Sequence, residues 1–329
     1  MKVSIFDVAK RSGLSVVTVS RVLNNSTSVR EKNRLKVLEA MKELDYHPNA
    51  AARSLARGET RIIGLIVTTL KDSFLDEIVR EITIAAAAQG YFVALSVSSD
   101  SQDKGHYLFQ EDRVDGVLLL SPMREDEYVL ELKKSQIPFV MLDNQHANSP
   151  ATSVIVDNFK GGYEATKHLI DLGHKEIAHI GGPELFLSSR ERERGFLTAL
   201  EESGLKPFSI ERGEFEISTG YTIARSWIEA GNMPTALFAG DDYIALGAMN
   251  AFTNEGIRVP GDISIIGFDD QMIASQIRPM LTTMRQPADQ IGRTGVELLL
   301  KNISGVAKRN VTVQLSPELV VRESTSPRL

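Results

Sequence analysis

A chain of 329 residues suffices for two or three domains of ordinary size, and 42% apolar with 24% charged residues excludes collagen-like and wholly disordered classes. No run approaches the roughly 18 apolar residues of a membrane span, the N-terminus lacks a basic-then-apolar leader, and the lack of cysteine removes disulfides, thiolate metal sites and cysteine nucleophiles. The expectation is a cytoplasmic protein with no membrane partner. The net charge of −6 conceals a division: the first 60 residues hold eleven Lys and Arg against six Asp and Glu, a head of +5 on a body of −11, so the two parts are expected to meet different partners.

In the head, Ile5, Val8 and Ala9 recur at the spacing of one helical face, with Ser4 placed to cap it. Gly13 tolerates the positive φ of a sharp turn, and Ser15 can cap a second helix, Val16 to Leu23, whose apolar stripe is Val19, Val22 and Leu23. Two short helices about such a turn predict a helix-turn-helix. Val17 and Arg21, four apart, share the opposite face, where Arg21 can donate to guanine O6 and N7 and Val17 can meet a thymine methyl. Ser4, Ser15, Thr18 and Ser20 suit phosphate contacts. An ordinary amphipathic hairpin with a solvated polar face would show the same periodicity. A third helix, about Arg30 to Leu44, is expected to complete the core through Leu35, Leu38, Met41 and Leu44. The segment Asn49 to Gly58 has helix formers but is too short to be stable alone. Its Leu55, between Arg53 and Arg57, suits either a minor-groove wedge or a linker residue docked on a neighbouring domain.

The runs Ile5-Phe6-Asp7-Val8-Ala9, Gly13-Leu14-Ser15, Thr18-Val19-Ser20-Arg21-Val22-Leu23-Asn24, Leu44-Asp45-Tyr46-His47-Pro48-Asn49 and Ala52-Arg53-Ser54-Leu55 resemble the headpiece of the lactose-repressor (LacI/GalR) family. The resemblance implies DNA binding. It places Val16, Val17 and Arg21 at base-reading positions and Leu55 as a minor-groove lever, with Asn24 and Arg53 counted among the DNA-binding residues.

From Arg61 onward, apolar runs alternate with helical patterns. Strands are predicted at Ile62–Val67, Tyr91–Val97, Gly116–Leu120, Phe139–Leu142, Ile177–Ile180, Ala236–Ala239 and Ile263–Gly267, with a helix around Leu75–Gln89. Continuous apolar runs suit parallel strands covered on both faces, which makes the body α/β and doubly wound. Gly173 to Pro183, Asp241-Asp242 with Ala245 to Ala248, Val259-Pro260, Ile265 to Asp270 and Gln286-Pro287 resemble the same family. That resemblance implies two periplasmic-binding-protein-like (type I) lobes, joined by crossings near residues 155–160, 280–287 and 315–322; a homodimer is expected because twofold protein symmetry matches a near-palindromic operator. The expected division is a headpiece at 1–48, a hinge at 49–60 and an effector domain at 61–329. Lobe one takes about 61–156 plus 288–317 and lobe two about 157–284. The C-terminal segment is unassigned by range, although the final helix and strand are expected in the first lobe.

Ligands of doubly wound sheets sit beyond the carboxyl ends of the strands. Asp143, Asp241 and Asp269 each follow an apolar strand run, Ser121 stands at another strand end, and Arg192 lies in a polar run, Ser188 to Arg194, expected to face the same opening. Phe74 and Phe215 offer flat apolar faces. Together these suit a polyhydroxylated ligand. Singly, each Asp is also an ordinary cap, each Phe an ordinary core residue, and the alternating Arg190 to Arg194 run a set of solvated charge pairs. The resemblance lifts Arg192, Asp269 and Phe215 to effector-contact positions. Sugar-responsive relatives often carry Asn where Asp241 stands. Phe186 falls where purine-responsive relatives have a ligand-contacting arginine, which favours a sugar.

No Walker loop, His-Glu-x-x-His or Gly-x-Ser-x-Gly motif occurs, and His168, His174 and His179 are expected at the surface or in turns. The expectation is a non-enzymatic, cofactor-free transcriptional regulator, a repressor that binds a near-palindromic operator as a homodimer and answers a carbohydrate-like effector. The alternatives are a solute-binding protein of a transport system and, third, a nicotinamide-dependent enzyme.

Overall fold

The chain divides into two units that make most of their contacts internally, Met1–Arg61 and Ile62–Leu329. The computed structural model describes residues 3–24, 26–46, 59–68, 73–98, 113–122, 124–144, 151–307 and 309–328. The hinge candidates Arg53 and Leu55 lie outside the described residues.

The first unit contains α1 (Ile5–Ser12), α2 (Val16–Leu23) and α3 (Glu31–Glu43). Asp7 reaches back to accept from Ser4 N at 2.9 Å and Ser4 Oγ at 2.7 Å, so the first turn is closed by its own residues. Gly13 ends α1 at φ 68°, and Ser15 Oγ accepts from Thr18 N at 3.2 Å to start α2. The core is Val8, Ala9, Val19, Val22, Val37 and Ala40, with Met41 and Leu44 packed against it.

The expected inner face of α3 is corrected. Leu35 and Leu38 are 59% and 48% exposed, whereas Val37 and Ala40 are buried. Steps of three residues drift by about 60° each on a helix of 3.6 residues per turn, so Leu35 and Leu44 point to opposite sides. Val37, Ala40, Met41 and Leu44 follow the i, i+3, i+4, i+7 pattern that stays on one face.

In the second unit, β1 (Ile62–Val67), α4 (Ser73–Ala88), β2 (Phe92–Val97), β3 (Gly116–Leu120), α5 (Glu125–Lys134), β4 (Phe139–Leu142) and β5 (Ser153–Val156) build the first lobe. The chain then passes through α6 (Asn158–Asp171), β6 (Ile177–Gly181), α7 (Leu187–Glu202), β7 (Ile210–Arg212), α8 (Ile217–Glu229) and β8 (Ala236–Ala239). It continues through α9 (Asp242–Asn254), β9 (Ser264–Asp269), α10 (Met272–Gln276) and β10 (Thr282–Arg285), which complete most of the second lobe. The remaining elements are α11 (Ala288–Ile303), β11 (Thr312–Leu315) and β12 (Glu318–Val320). One six-stranded sheet runs β11-β5-β4-β3-β1-β2 and is parallel throughout. The other runs β12-β10-β9-β8-β6-β7 and is parallel except for β12.

Alternate side chains of the central strands feed cores on both faces. Leu118 and Leu120 of β3 join one cluster while Val117 and Leu119 join another. Leu237 and Ala239 of β8 divide from Ala236 and Phe238 in the same way. This two-sided burial is why those runs are continuously apolar.

The chain crosses between lobes at Asp157, at Gln286-Pro287 and at Ser316-Pro317. α11 packs on β3, β4 and β5, and β11 pairs with β5, so both belong to the first lobe. The last strand does not return there. β12 pairs antiparallel with β10, because Ser316-Pro317 ends β11 and Leu319 then packs into the second lobe's core. Ser324 and Ser326 tie the tail to the same sheet through Ile265 O and Ser264 Oγ.

One histidine expectation is also corrected, that for His179, while His174 lies in the turn between α6 and β6. His174 is buried, its ring nitrogens lying 3.2 Å from Thr235 Oγ1 and 3.0 Å from Ser264 Oγ. His179 is buried in β6 with Nδ1 2.9 Å from Phe238 O and its ring 4.7 Å from that of Phe238. A strand covered on both faces buries every residue along it, polar ones included. His168 is half-buried beside Thr325.

Candidate functional site

The carboxyl ends of both sheets open on one cavity of about 650 Å³, a size ordinary for a small-molecule site. Its wall includes Phe74, Ser121, Asp143, Arg192, Phe215, Asp241 and Asp269, so all seven effector candidates are brought together. The ends of β3 and β4 supply Ser121 and Asp143 from the first lobe, and the ends of β8 and β9 supply Asp241 and Asp269 from the second.

Backbone strain concentrates here. Ser121, Asp143 and Asp269 have φ of 46°, 53° and 106°, conformations that L-residues hold only when surrounding structure imposes them.

Arg192 is positioned by a close helix crossing. A Cβ on Gly162 of α6 would stand 2.2 Å from Arg192 O, and one on Gly195 of α7 would stand 2.2 Å from Phe159 O, so glycine lets the two backbones meet. The polar run Ser188 to Arg194 lies on α7, in its first two turns. Periodicity sorts it: Ser188 and Arg192 reach the cavity wall, while Glu191 pairs with Arg194 and Glu193 with Arg212 on the outside.

Arg192 is only 4% exposed. Its Nε donates to Asn158 Oδ1 at 2.9 Å and its Nη1 to Gly240 O at 2.6 Å, while Nη2 stands 3.3 Å from Asp269 Oδ1. The guanidinium carbon also lies 3.7 Å from the centre of the Phe268 ring. Asp269 accepts in turn from Gln286 Nε2 at 2.5 Å. The pair thus touches two crossings, through Asn158 after the first and Gln286 at the second. Asp270 extends the connection: it pairs with Arg285 at 2.7 Å and Arg322 at 2.5 Å.

The carboxylates differ in environment. Burial pushes Asp143 above its ordinary value, with the Ser121 hydroxyl, donating at 2.7 Å, and the Arg192 charge acting against that. Asp242, behind the wall, is raised much further by burial and the neighbouring Asp269 charge, although it accepts from Thr283 Oγ1 and Gln271 N. Asp241 also caps α9, its Oδ1 accepting from Ile244 N at 2.7 Å, so the cap and cavity-wall positions coincide in one residue.

Sequence reasoning did not single out Thr68, Leu75, Glu214, Glu216, Ile217, Ser218 or Tyr243 as wall residues, nor Asn158 as the support of Arg192. Thr68 follows β1 as Asp143 follows β4, a usable signal. Glu214 to Ser218 lie around the start of α8 after a short strand of three residues, which carries almost no periodicity. Phe186, identified as a departure from purine-responsive relatives, lies on the wall with its ring 5.9 Å from that of Phe215.

In the first unit, Val17 is 60% exposed and Arg21 is exposed with it on α2. Val16 is half-buried against the helical core, and Ser4 and Ser15 are engaged in capping. Thr18 and Ser20 are half-buried, as is Asn24 at the C-terminal cap of α2.

A helix-turn-helix unit followed by a two-lobed α/β body is the composition of a DNA-binding regulator. Residues 4–49 match the family of bacterial regulatory proteins described as the lacI family, and residues 166–325 match a periplasmic binding protein-like domain. Catabolite control protein A of Priestia megaterium is 35% identical over 99% of this chain and all of its own length. The transcriptional repressor PurR of Aliivibrio fischeri strain ATCC 700601 / ES114 is 38% identical over 99% of both chains. Among solved structures, the Lac repressor dimer bound to operator and the anti-inducer ONPF matches with a TM-score of 0.90 and 32% identity over 99% of this chain and 100% of that one. The CelR–cellobiose complex matches at 0.75 and 30% over 98% of this chain and 100% of that one. The chain belongs to the lacI family of DNA-binding transcriptional regulators. Its relatives are regulators rather than enzymes, and among the described residues no helix is long and apolar enough to cross a membrane.

Proposed function

We propose that this protein is a ligand-responsive repressor that binds a near-palindromic operator as a homodimer and changes operator affinity when a small polyhydroxylated effector enters the cleft. The observation carrying the effector reading is the convergence of seven candidates from both lobes on one cavity wall. Strand-end acceptors can meet hydroxyl groups, and Phe74, Phe186 and Phe215 can meet C–H faces. A sugar is preferred to a purine because Phe186 brings an apolar ring, and no donor, to that part of the wall.

On the DNA side, Val16, Val17 and Arg21 read bases, and Asn24 is a further DNA contact. Ser4, Ser15, Thr18 and Ser20 hold phosphates, and Arg53 and Leu55 enter the minor groove. The homodimer is supported by apolar side chains exposed on one lobe: Phe92, 77% exposed, with Leu95 and Val97 on the edge strand β2, and Ile84 on α4. Closure of the cleft rotates one lobe on the other about the crossings, to which Arg192 and Asp269 are tied.

The test is reciprocal. A duplex selected from a random pool is titrated with and without sugars, sugar phosphates and nucleobases, and ligand affinity is measured with and without that duplex. Linkage requires the two effects to be equal factors; equal ligand affinity in both states would refute the coupling. Arg21→Ala should cost about 1–3 kcal/mol at one base pair of the site. A uniform loss on all sequences would instead make it a phosphate clamp.

A further inference from the structure

Two adjoining hollows of about 490 and 430 Å³, a size that small molecules occupy, share Thr152, Asn302, Ala307 and Arg309 and take no residue from the effector cavity. They lie at the amino edge of the first lobe's sheet, the end away from that cavity. Pro138-Phe139, Ala151-Thr152 and Asn310-Val311 line them where β4, β5 and β11 begin. Lys133 and Lys301 join from the last turns of α5 and α11. The wall is tied together: Asn302 Nδ2 donates to Phe139 O at 3.1 Å, joining the end of α11 to the start of β4.

These walls carry one sign of charge. Lys133 and Arg309 line the larger hollow, Lys301 and Arg309 the smaller, and among the described residues neither wall holds a carboxylate. Nor is that charge answered elsewhere: among the described residues, the three side chains enter no ion pair and no hydrogen bond. Lys301 shows the contrast within one helix. Asp289 and Arg293 of α11, four apart, pair at 3.2 Å, whereas Glu297 and Lys301, four apart in the same order further along, do not. A cation in a helix's last turn offsets the macrodipole, which accounts for where Lys133 and Lys301 stand along the chain. Arg309 lies between α11 and β11 and has no such role, yet it is the cation both hollows share.

We propose that these hollows form a second ligand site, distinct from the effector cavity, for a small organic phosphate monoester with an apolar body. Cations gathered on one wall repel one another, and an anion between them turns that repulsion into attraction. A phosphate monoester carries a charge of about −1.5 to −2 near neutral pH, which matches the two cations on each hollow. The guanidinium of Arg309 offers the planar fork that binds two phosphate oxygens at once, with a lysine on either side as a point charge. Leu298, Ala307 and Val311 in the smaller hollow, and Ile137 and Phe139 in the larger, provide apolar surface for the body of the ester. Val311 is 45% exposed, so that surface is open to a ligand.

The experiment titrates the full chain calorimetrically, in phosphate-free buffer, with phenyl phosphate, inorganic phosphate, benzoate and phenol, and follows the same probes by thermal shift. Phenyl phosphate should bind at least about tenfold tighter than benzoate or phenol, and about threefold or more tighter than inorganic phosphate, which lacks the apolar body. Arg309→Gln and Lys301→Gln should each weaken phenyl phosphate about tenfold, and Arg309→Lys by less, because it keeps the charge and loses the fork. Lys134→Gln removes the same charge from the same end of α5 but lies off both walls, and should change affinity by less than about twofold. The ligand-free unfolding midpoints of these variants should match the wild type's, since the side chains removed are exposed. Equal weakening by Lys134→Gln and Arg309→Gln, or benzoate or phenol binding as tightly as phenyl phosphate, overturns the site. So does the lack of any heat or thermal shift with phenyl phosphate up to about 10 mM. The effector reading is tested separately, because its cavity shares no wall residue with these hollows.

Discussion

Replacing Arg192 by methionine keeps much of the side-chain stem and removes the guanidinium. Asp269 then retains Gln286 at 2.5 Å but loses its ion-pair partner at 3.3 Å, and Asn158 Oδ1 and Gly240 O lose buried donors. Breaking a buried ion pair from one side costs about 3–5 kcal/mol, and each orphaned buried acceptor about 1–3 kcal/mol before relaxation. These terms overlap, so the expected loss is about 4 kcal/mol, a large share of the roughly 5–15 kcal/mol that holds a domain together. Equilibrium urea unfolding, followed through the chain's single tryptophan, reports on the affected lobe because Trp227 is buried in its core. Arg192→Met/Asp269→Asn should lose less than the two single variants together, with a coupling of about 2 kcal/mol. A single-variant loss below about 1 kcal/mol, or strictly additive losses, would show that the pair is not the support inferred from its geometry.

His179 is lowered to about 4 by burial, so below its ordinary value of 6.5 the unfolded chain takes up a proton that the folded chain refuses. Stability should therefore fall as pH drops from about 6.5 towards 4. Between pH 7 and 5 the wild type should lose about 2 kcal/mol more than His179→Gln, measured by urea unfolding at each pH. Asp242 works in the opposite direction: its raised folded value means stability falls as pH rises above 3.8. Asp242→Asn, whose amide can donate to Thr283 Oγ1 and accept from Gln271 N, should flatten that fall; an unchanged slope would assign the effect elsewhere. In the headpiece, Val37→Ala should cost roughly 1–2 kcal/mol and Leu35→Ser within about 0.5 kcal/mol. The contrast is read from tryptic protection of the first 46 residues in the full chain, and equal sensitivity of the two variants would restore the discarded face.

How much was legible varied with the strength of the local signal. The strands of the two lobe centres could be placed within a residue or two because burial on both faces makes them continuously apolar. β10 and β12 could not: Thr282-Thr283-Met284-Arg285 mixes polar and apolar residues, and Glu318–Val320 is only three residues long. The Leu35–Leu44 stripe misled because leucines spaced by three look periodic while winding halfway round the helix, and the smaller Val37 and Ala40 took the inside. His179 misled for a related reason, a polar residue type inside a run whose pattern already required burial.

The candidate site divides along the same line. Asp143, Asp241 and Asp269 were identifiable from position alone, because a polar residue ending a buried strand emerges at the sheet's carboxyl edge. That they face one another with Arg192 and Phe215 was decided by tertiary structure. Residues from about 68 to 286 reach one cavity only after three crossings bring the carboxyl ends of the two sheets to it. Local patterning can specify which residues a strand or helix presents at its end or on its face. Which ends converge, and which charge finds Asn158 rather than solvent, depends on contacts between residues far apart in sequence, whose distances no local periodicity encodes.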